Sequence, residues 1–485
     1  DRDWYAFEAK EGDALDIELF ARRMRSPLDS AIAVYDQEGV RLGANDDGGR
    51  VTEHADAEPR GPDSFLRLKV PRDGTYYVEV RDQLGSGSPL HVYRLECSKV
   101  KPWMLVRLPR VQDPNELYGQ YRQQIFVGRG NRFAALVRIR TRDFNGRMAL
   151  TIPQLPQGMT IETQAIPAGT TAFPVVFTAA EDAPLGGGLF EMIGRPEEAG
   201  SNIRGGYYHF ADLLRANPGN TLLKTRIADR VPIAVVERLP FRLEAIPPKG
   251  PIVRNGEWEL QVRAVRDKGF DEEIRLTMPF LPPGITTSSG QVIPSGESEA
   301  TFKLTAHPMI TPRDWQLYVM GVAGEKNNWM WASTQIVPLN VTKGYAKVSV
   351  GDAELLAGEK ATLAGKVVDL ESFEGEATVE LTGLPEGVRS EGGTFRSGEE
   401  QVSIPLSVGD AVAPDTYRGI GLRLRVPFGE EQITSKGDAL TLTISSSSEP
   451  DTEDAQVVTD AGTLSRLERL RSEASKRREK GNGKP

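Results

Sequence analysis

The sequence predicts an all-β chain of tandem β-sandwich domains. Three observations carry that expectation: a spacing repeated three times, short alternating strands punctuated by Pro and Gly, and a length of 485 residues. The first copy of the spacing has Phe144, Leu155-Pro156-Gln157-Gly158 and Ala183-Pro184; the second has Phe270, Leu281-Pro282-Pro283-Gly284 and Thr311-Pro312; the third has Phe373, Leu384-Pro385-Glu386-Gly387 and Ala413-Pro414. Phe to Leu is 11 residues in each copy, and Leu to the later Pro is 29, 31 and 30. Units of about 100 residues with this punctuation are the signature of repeated sandwiches. In each Leu-Pro-x-Gly, Pro fixes φ and Gly admits φ > 0, so the motif ends a strand and turns the chain.

Residues 1–98 precede the repeats and differ from them. Asp3-Trp4-Tyr5-Ala6-Phe7 reads as an opening strand, and Leu15-Asp16-Ile17-Glu18-Leu19 alternates apolar and acidic as a half-buried strand does. Ala31 to Tyr35 leads into the turn Asp36-Gln37-Glu38-Gly39. Phe65 to Val70 alternates again, and Asp73-Gly74 is a tight turn before Thr75 to Val80. Leu90 to Leu95 is expected to close the unit, with Cys97 as a small core residue just beyond it.

This stretch resembles the bacterial pre-peptidase C-terminal domain. The likeness lies in Asp3-Trp4-Tyr5-Ala6-Phe7, Leu28-Asp29 before Val34-Tyr35-Asp36, Asn45-Asp46-Asp47-Gly48-Gly49, and Asp73-Gly74 through Val80, spanning about 95 residues. The resemblance implies a secreted jelly-roll or sandwich module of the kind often appended to hydrolases, in some cases calcium-stabilised and matrix-binding.

The repeats are expected at 99–240, 241–343 and 344–446. The first is longer than the second by about 22 residues, an insert placed near 197–220 that contains Tyr207 and Tyr208. Linkers such as Thr342-Lys343-Gly344 are short, which predicts a semi-rigid rod. The Leu-Pro-x-Gly motif, with Ala413-Pro414-Asp415-Thr416-Tyr417, resembles bacterial immunoglobulin-like modules found beside glycosidases and in surface proteins. Residues 447–485 form a charged tail, acidic from Glu449 to Asp460 and mainly basic beyond, read as disordered or as a short helix through Leu464, Leu467 and Leu470.

Composition narrows the function. The net charge is −9, and residues 1–446 show none of the basic clustering that a nucleic-acid binder presents. The sequence has no apolar run of about 18 residues, so no transmembrane helix is expected. It lacks a Gly-x-Ser-x-Gly elbow, a His-Glu-x-x-His pair and a phosphate loop, and its one cysteine cannot form an internal disulfide. The chain begins at Asp1 without a signal-peptide pattern, as a processed or trimmed segment would.

Two sets of residues are candidates for binding. Asn45, Asp46 and Asp47, with Asp63 and Asp29 as partners, offer the clustered oxygens that calcium takes, although Asn-Asp-Asp-Gly-Gly also reads as an ordinary turn. Trp329 and Trp331 would share one face of a strand, forming an aromatic platform if exposed and core if buried. Tyr207 and Tyr208 are a second aromatic pair, more readily exposed because they sit in an insert.

The function expected is an exported, non-catalytic binding or scaffolding protein of the bacterial surface or periplasm, with an extracellular protein or polysaccharide as partner. The alternative is the accessory region of a secreted hydrolase, a peptidase above all, whose catalytic domain lies outside this chain. A third reading is a carbohydrate binder that uses Trp329 and Trp331.

Overall fold

The computed structural model describes residues 2–48, 63–109, 124–198, 200, 203–216, 221–288, 290–324 and 328–446, and of 210–227 the backbone alone. The expected charged tail lies outside the described residues. Within them the chain is all-β, apart from one turn of 3-10 helix at Arg22–Met24.

The N-terminal unit packs two antiparallel sheets face to face. One orders Arg2–Ala9, Gly74–Asp82, Ser30–Tyr35 and Arg41–Asn45; the other orders Phe65–Lys69, Ala14–Phe20 and Arg94–Lys99. Period-two alternation places Leu15, Ile17 and Leu19 inward against Val34, Tyr76 and Val78. The closing strand is Arg94–Lys99, later than the sequence pattern predicts. Leu90 is 72 % exposed because a turn occupies this stretch: Asp82 accepts hydrogen bonds from the Ser86 N–H and hydroxyl, and the His91 N–H donates to the Ser88 carbonyl. Cys97 then falls on an edge strand and is exposed, which corrects its expected place in the core. Local burial still pushes its thiol pKa up, so it lacks the low pKa of a reactive cysteine.

Each repeat has its own buried cluster, and the repeated motif is one structure used three times. Gly158, Gly284 and Gly387 all adopt positive φ (76°, 88° and 85°). In every copy the N–H two residues after the Gly-preceding position, on Met159, Ile285 or Val388, donates to the motif's first proline carbonyl. The glycine carbonyl accepts from the far strand, at Ala180, His307 and Gly409. Each glycine also abuts the residue before the later Xaa-Pro step or its first member: Ala183, Ile310 and Val412. An alanine Cβ at Gly387 would lie 2.7 Å from Val412 Cγ2 on a left-handed backbone. Gly387→Ala is therefore expected to destabilise the third repeat by about 1–3 kcal/mol, measured by urea denaturation; an unchanged midpoint would refute the steric account.

Neighbouring units are joined by more than linkers. Arg67 bridges Asp16 at 2.7 Å and Asp143 at 2.9 Å, tying the N-terminal unit to the first repeat. Leu317 and Val319 enter the core of the second repeat, while Tyr318 and Met320 enter the core of the first. One segment thus has both faces buried, each in a different core. The buried Asn131 amide also donates to the Phe241 carbonyl across the same junction, at 2.7 Å. Between the second and third repeats, Gly256 and Glu257 pair with Ser435 and Thr434, so one ten-stranded sheet runs through both. Glu257 sits between Lys303 at 2.7 Å and Lys436 at 3.1 Å. Burial raises its pKa, but these two lysines outweigh that and hold the carboxyl below its ordinary value.

The stretch expected as an insert near 197–220 overlaps a two-stranded antiparallel ribbon, His209–Ala216 with Thr221–Ala228, which forms a sheet of its own.

Candidate functional site

The acidic turn of the N-terminal unit is held largely by the protein's own donors. The Asn45 side-chain oxygen accepts from the Phe65 N–H at 3.1 Å, and the Asp46 carbonyl from the Ser64 hydroxyl at 3.3 Å. Asp46 and Asp47 carry exposed side chains. Asp29 uses its main chain, donating to Asp82 at 2.8 Å and accepting from the Gln83 N–H at 2.6 Å. Asp63 is bonded to the 3-10 turn at Arg22–Met24. Its fully buried carboxylate accepts from the Arg22 N–H (2.6 Å), the Arg23 N–H (3.2 Å) and Arg23 Nε (2.7 Å). Among the described residues, no group of three or more His, Cys, Asp or Glu is placed to hold a metal.

The aromatic candidates separate as well. Trp329 precedes the strand Met330–Ser333 and lies under the Arg275 guanidinium, 5.0 Å from its ring centroid. Trp331 pairs with Val322 and packs, partly buried, against the first repeat's core. Both rings are half-buried. Tyr207 is 4 % exposed and belongs to that same core, contrary to the expectation for an insert, because Gly206–Tyr207 pairs in parallel with Leu105 and Val106. Burial pushes its phenol pKa well above the ordinary value. Tyr208 is half-buried beside it.

A cleft of about 320 Å³ lies between the first and second repeats, which the sequence did not foretell. Ile166, Phe173 and Pro174 line it from one side, Phe280, Trp315 and Pro338 from the other. Phe280 and Trp315 stand 6.2 Å apart, tilted at 49°. The Arg313 guanidinium lies 4.6 Å over the Trp315 ring and donates to Thr170 Oγ1 at 2.6 Å, which fixes the width of the opening. Asp314 accepts from the Asn340 amide at 2.6 Å. Trp315 Nε1 is shielded from solvent and has no hydrogen-bond partner. One sequence signal marks this site: Phe280 stands directly before the motif leucine, where the other copies have Gln154 and Gly383.

Comparison with known proteins places the N-terminal unit. Residues 1–82 match the family model of the bacterial pre-peptidase C-terminal domain, as the motif resemblance predicts. A probable subtilase-type serine protease of Deinococcus radiodurans is 35% identical over 116 residues, covering 21% of this chain and 14% of the relative's length. The chain therefore spans only a small part of that protein. Structural matches include a Porphyromonas gingivalis W83 protein of unknown function (12% identity, 42% of this chain, 99% of the other, TM-score 0.17). They also include fibronectin(III)-like modules of Clostridium thermocellum (7% identity, 44% and 100% coverage, TM-score 0.17).

Proposed function

We propose that this chain is an exported, non-catalytic array of β-sandwich modules that binds an extracellular protein or polysaccharide. The observation that carries this reading is the family match over residues 1–82. The repeats that follow supply extended surface and junctions, where binding sites tend to form. A second reading has a specific observation behind it: the relative that shares 116 residues is a probable subtilase-type serine protease. On that reading the chain is the accessory region of a secreted peptidase, and the catalytic domain lies outside these residues.

One experiment separates them. Antiserum raised against the chain is applied to cell, periplasmic and culture fractions, and each fraction is labelled with a fluorophosphonate serine-hydrolase probe. The array reading expects an exported band that does not take the label. An exported band that does label establishes the accessory reading. A band confined to the cytoplasm, or label on the isolated chain, defeats both.

A further inference from the structure

The strand Arg313–Leu317 is the outer strand of a three-stranded sheet and pairs with Val337–Thr342 alone. Two prolines fix which of its main-chain groups face outward. In the antiparallel register Arg313, Trp315 and Leu317 oppose Val341, Leu339 and Val337, while Gln316 opposes Pro338. Pro338 has no N–H and cannot complete a hydrogen-bonded pair with Gln316. Pro312 likewise cannot supply the bond that the opposite phase would need at the strand's start. Arg313, Trp315 and Leu317 therefore exchange hydrogen bonds with their neighbour, because the two kinds of pair alternate. The N–H and C=O of Asp314 and Gln316 point to the free edge, and both residues line the inter-repeat cleft. An unpaired edge beside a pocket is the arrangement by which an extended peptide is captured, with main-chain bonds for affinity and a side-chain pocket for selectivity.

The cleft also indicates what kind of peptide fits. Its two charged side chains are engaged within the protein, Arg313 on Thr170 and over Trp315, and Asp314 on Asn340. Nothing there calls for a charged ligand. The Arg313 guanidinium occupies one face of the Trp315 ring, and Phe280 stands at 49° to it rather than coplanar, so the two rings do not make a flat stacking surface for a sugar. Phe173, Phe280 and Pro338 instead enclose a space near the low end of about 300–1,000 Å³ typical of ligand pockets, suited to one apolar side chain.

We propose that this cleft binds an uncharged, extended peptide segment that adds as a strand to the edge of Arg313–Leu317 and seats one apolar side chain against Phe173, Phe280 and Trp315. This deepens the binding reading above and rests on it.

The test uses the full chain labelled with 15N at its six tryptophans. The indole signal of Trp315 is assigned with Trp315→Phe, and the probe is the blocked peptide acetyl-Gly-Thr-Val-Leu-Val-Thr-amide. A saturable shift of the Trp315 signal is expected. Gln316→Pro removes one outward N–H that the sheet does not use, so affinity should fall about tenfold, the loss of one charge-free main-chain contact at its upper range, while the unfolding midpoint holds. The same peptide N-methylated at alternate backbone nitrogens should bind the unaltered chain at least as weakly. The proposal is overturned if no shift occurs at millimolar peptide, if binding survives both main-chain blocks, or if cellotriose moves the signal and the peptide does not. None of these outcomes touches the fractionation and labelling result, so the two readings fail separately.

Discussion

Asp63→Ala is expected to destabilise the N-terminal unit by about 3 kcal/mol, the lower end of the range for removing one member of a buried ion pair. The carboxylate is fully buried and receives two backbone N–H groups besides Arg23 Nε. Removing it strands those donors. The lower end applies because the Arg23 side chain is 27% exposed and keeps Glu18 at 2.9 Å. Burial alone would raise the Asp63 pKa, but the Arg23 contact and the backbone N–H groups outweigh it and hold the pKa below its ordinary value. A carboxyl with a depressed folded pKa contributes stability that is fully present above its unfolded value of about 3.9 and fades as pH falls through the folded one. The unaltered protein should therefore lose stability on acidification below about pH 4, and the alanine variant should lose less. Hydrogen exchange in Ala14–Phe20, followed across pH, reads both effects. Equal protection in the two proteins at neutral pH would remove Asp63 from any account of what holds this unit together.

The second large effect is expected at the junction of the first two repeats. Tyr318 is 1% exposed and lies in the first repeat's core, although Leu317 and Val319 on either side belong to the second. Tyr318→Ala should cost about 3–5 kcal/mol, the usual loss on truncating a large buried aromatic. The more telling readout is the shape of the transition. With a shared segment the two repeats should unfold together in calorimetry, and the alanine variant should show two separate transitions. Tyr318→Phe keeps the ring and should retain a single one. Two transitions in the unaltered protein would mean that the shared packing does not couple them.

Local rules made much of this architecture legible. The Leu-Pro-x-Gly glycines take the left-handed conformation that the motif requires, and the alternation in Leu15 to Leu19 faces inward as written. Such features depend on neighbours within a few residues. What could not be read depends on residues far apart in sequence. Tyr207 is buried because Gly206–Tyr207 docks on a strand about 100 residues earlier, an event invisible to a rule that sends inserts to the surface. Asp63 pairs with Arg23, 40 residues earlier, a contact that no local pattern announces. Trp331 looks like half of an aromatic pair, and its partial packing against the neighbouring repeat's core is a contact no local window shows. The cleft exists only once both repeats are in place, so its walls share no sequence window, and Phe280 beside its motif was the one local trace.

The ladder that joins Gly256 and Glu257 to Thr434 and Ser435 makes the second and third repeats mechanically continuous. A hinge confined to the peptide around Lys343 cannot swing freely while a second strand crosses the same boundary elsewhere. Bending or twisting there must first shear backbone hydrogen bonds and part Glu257 from Lys436. A pull on the third repeat is thus passed to the second through its sheet, and the pair responds to tension as one stiff beam rather than as beads on a string.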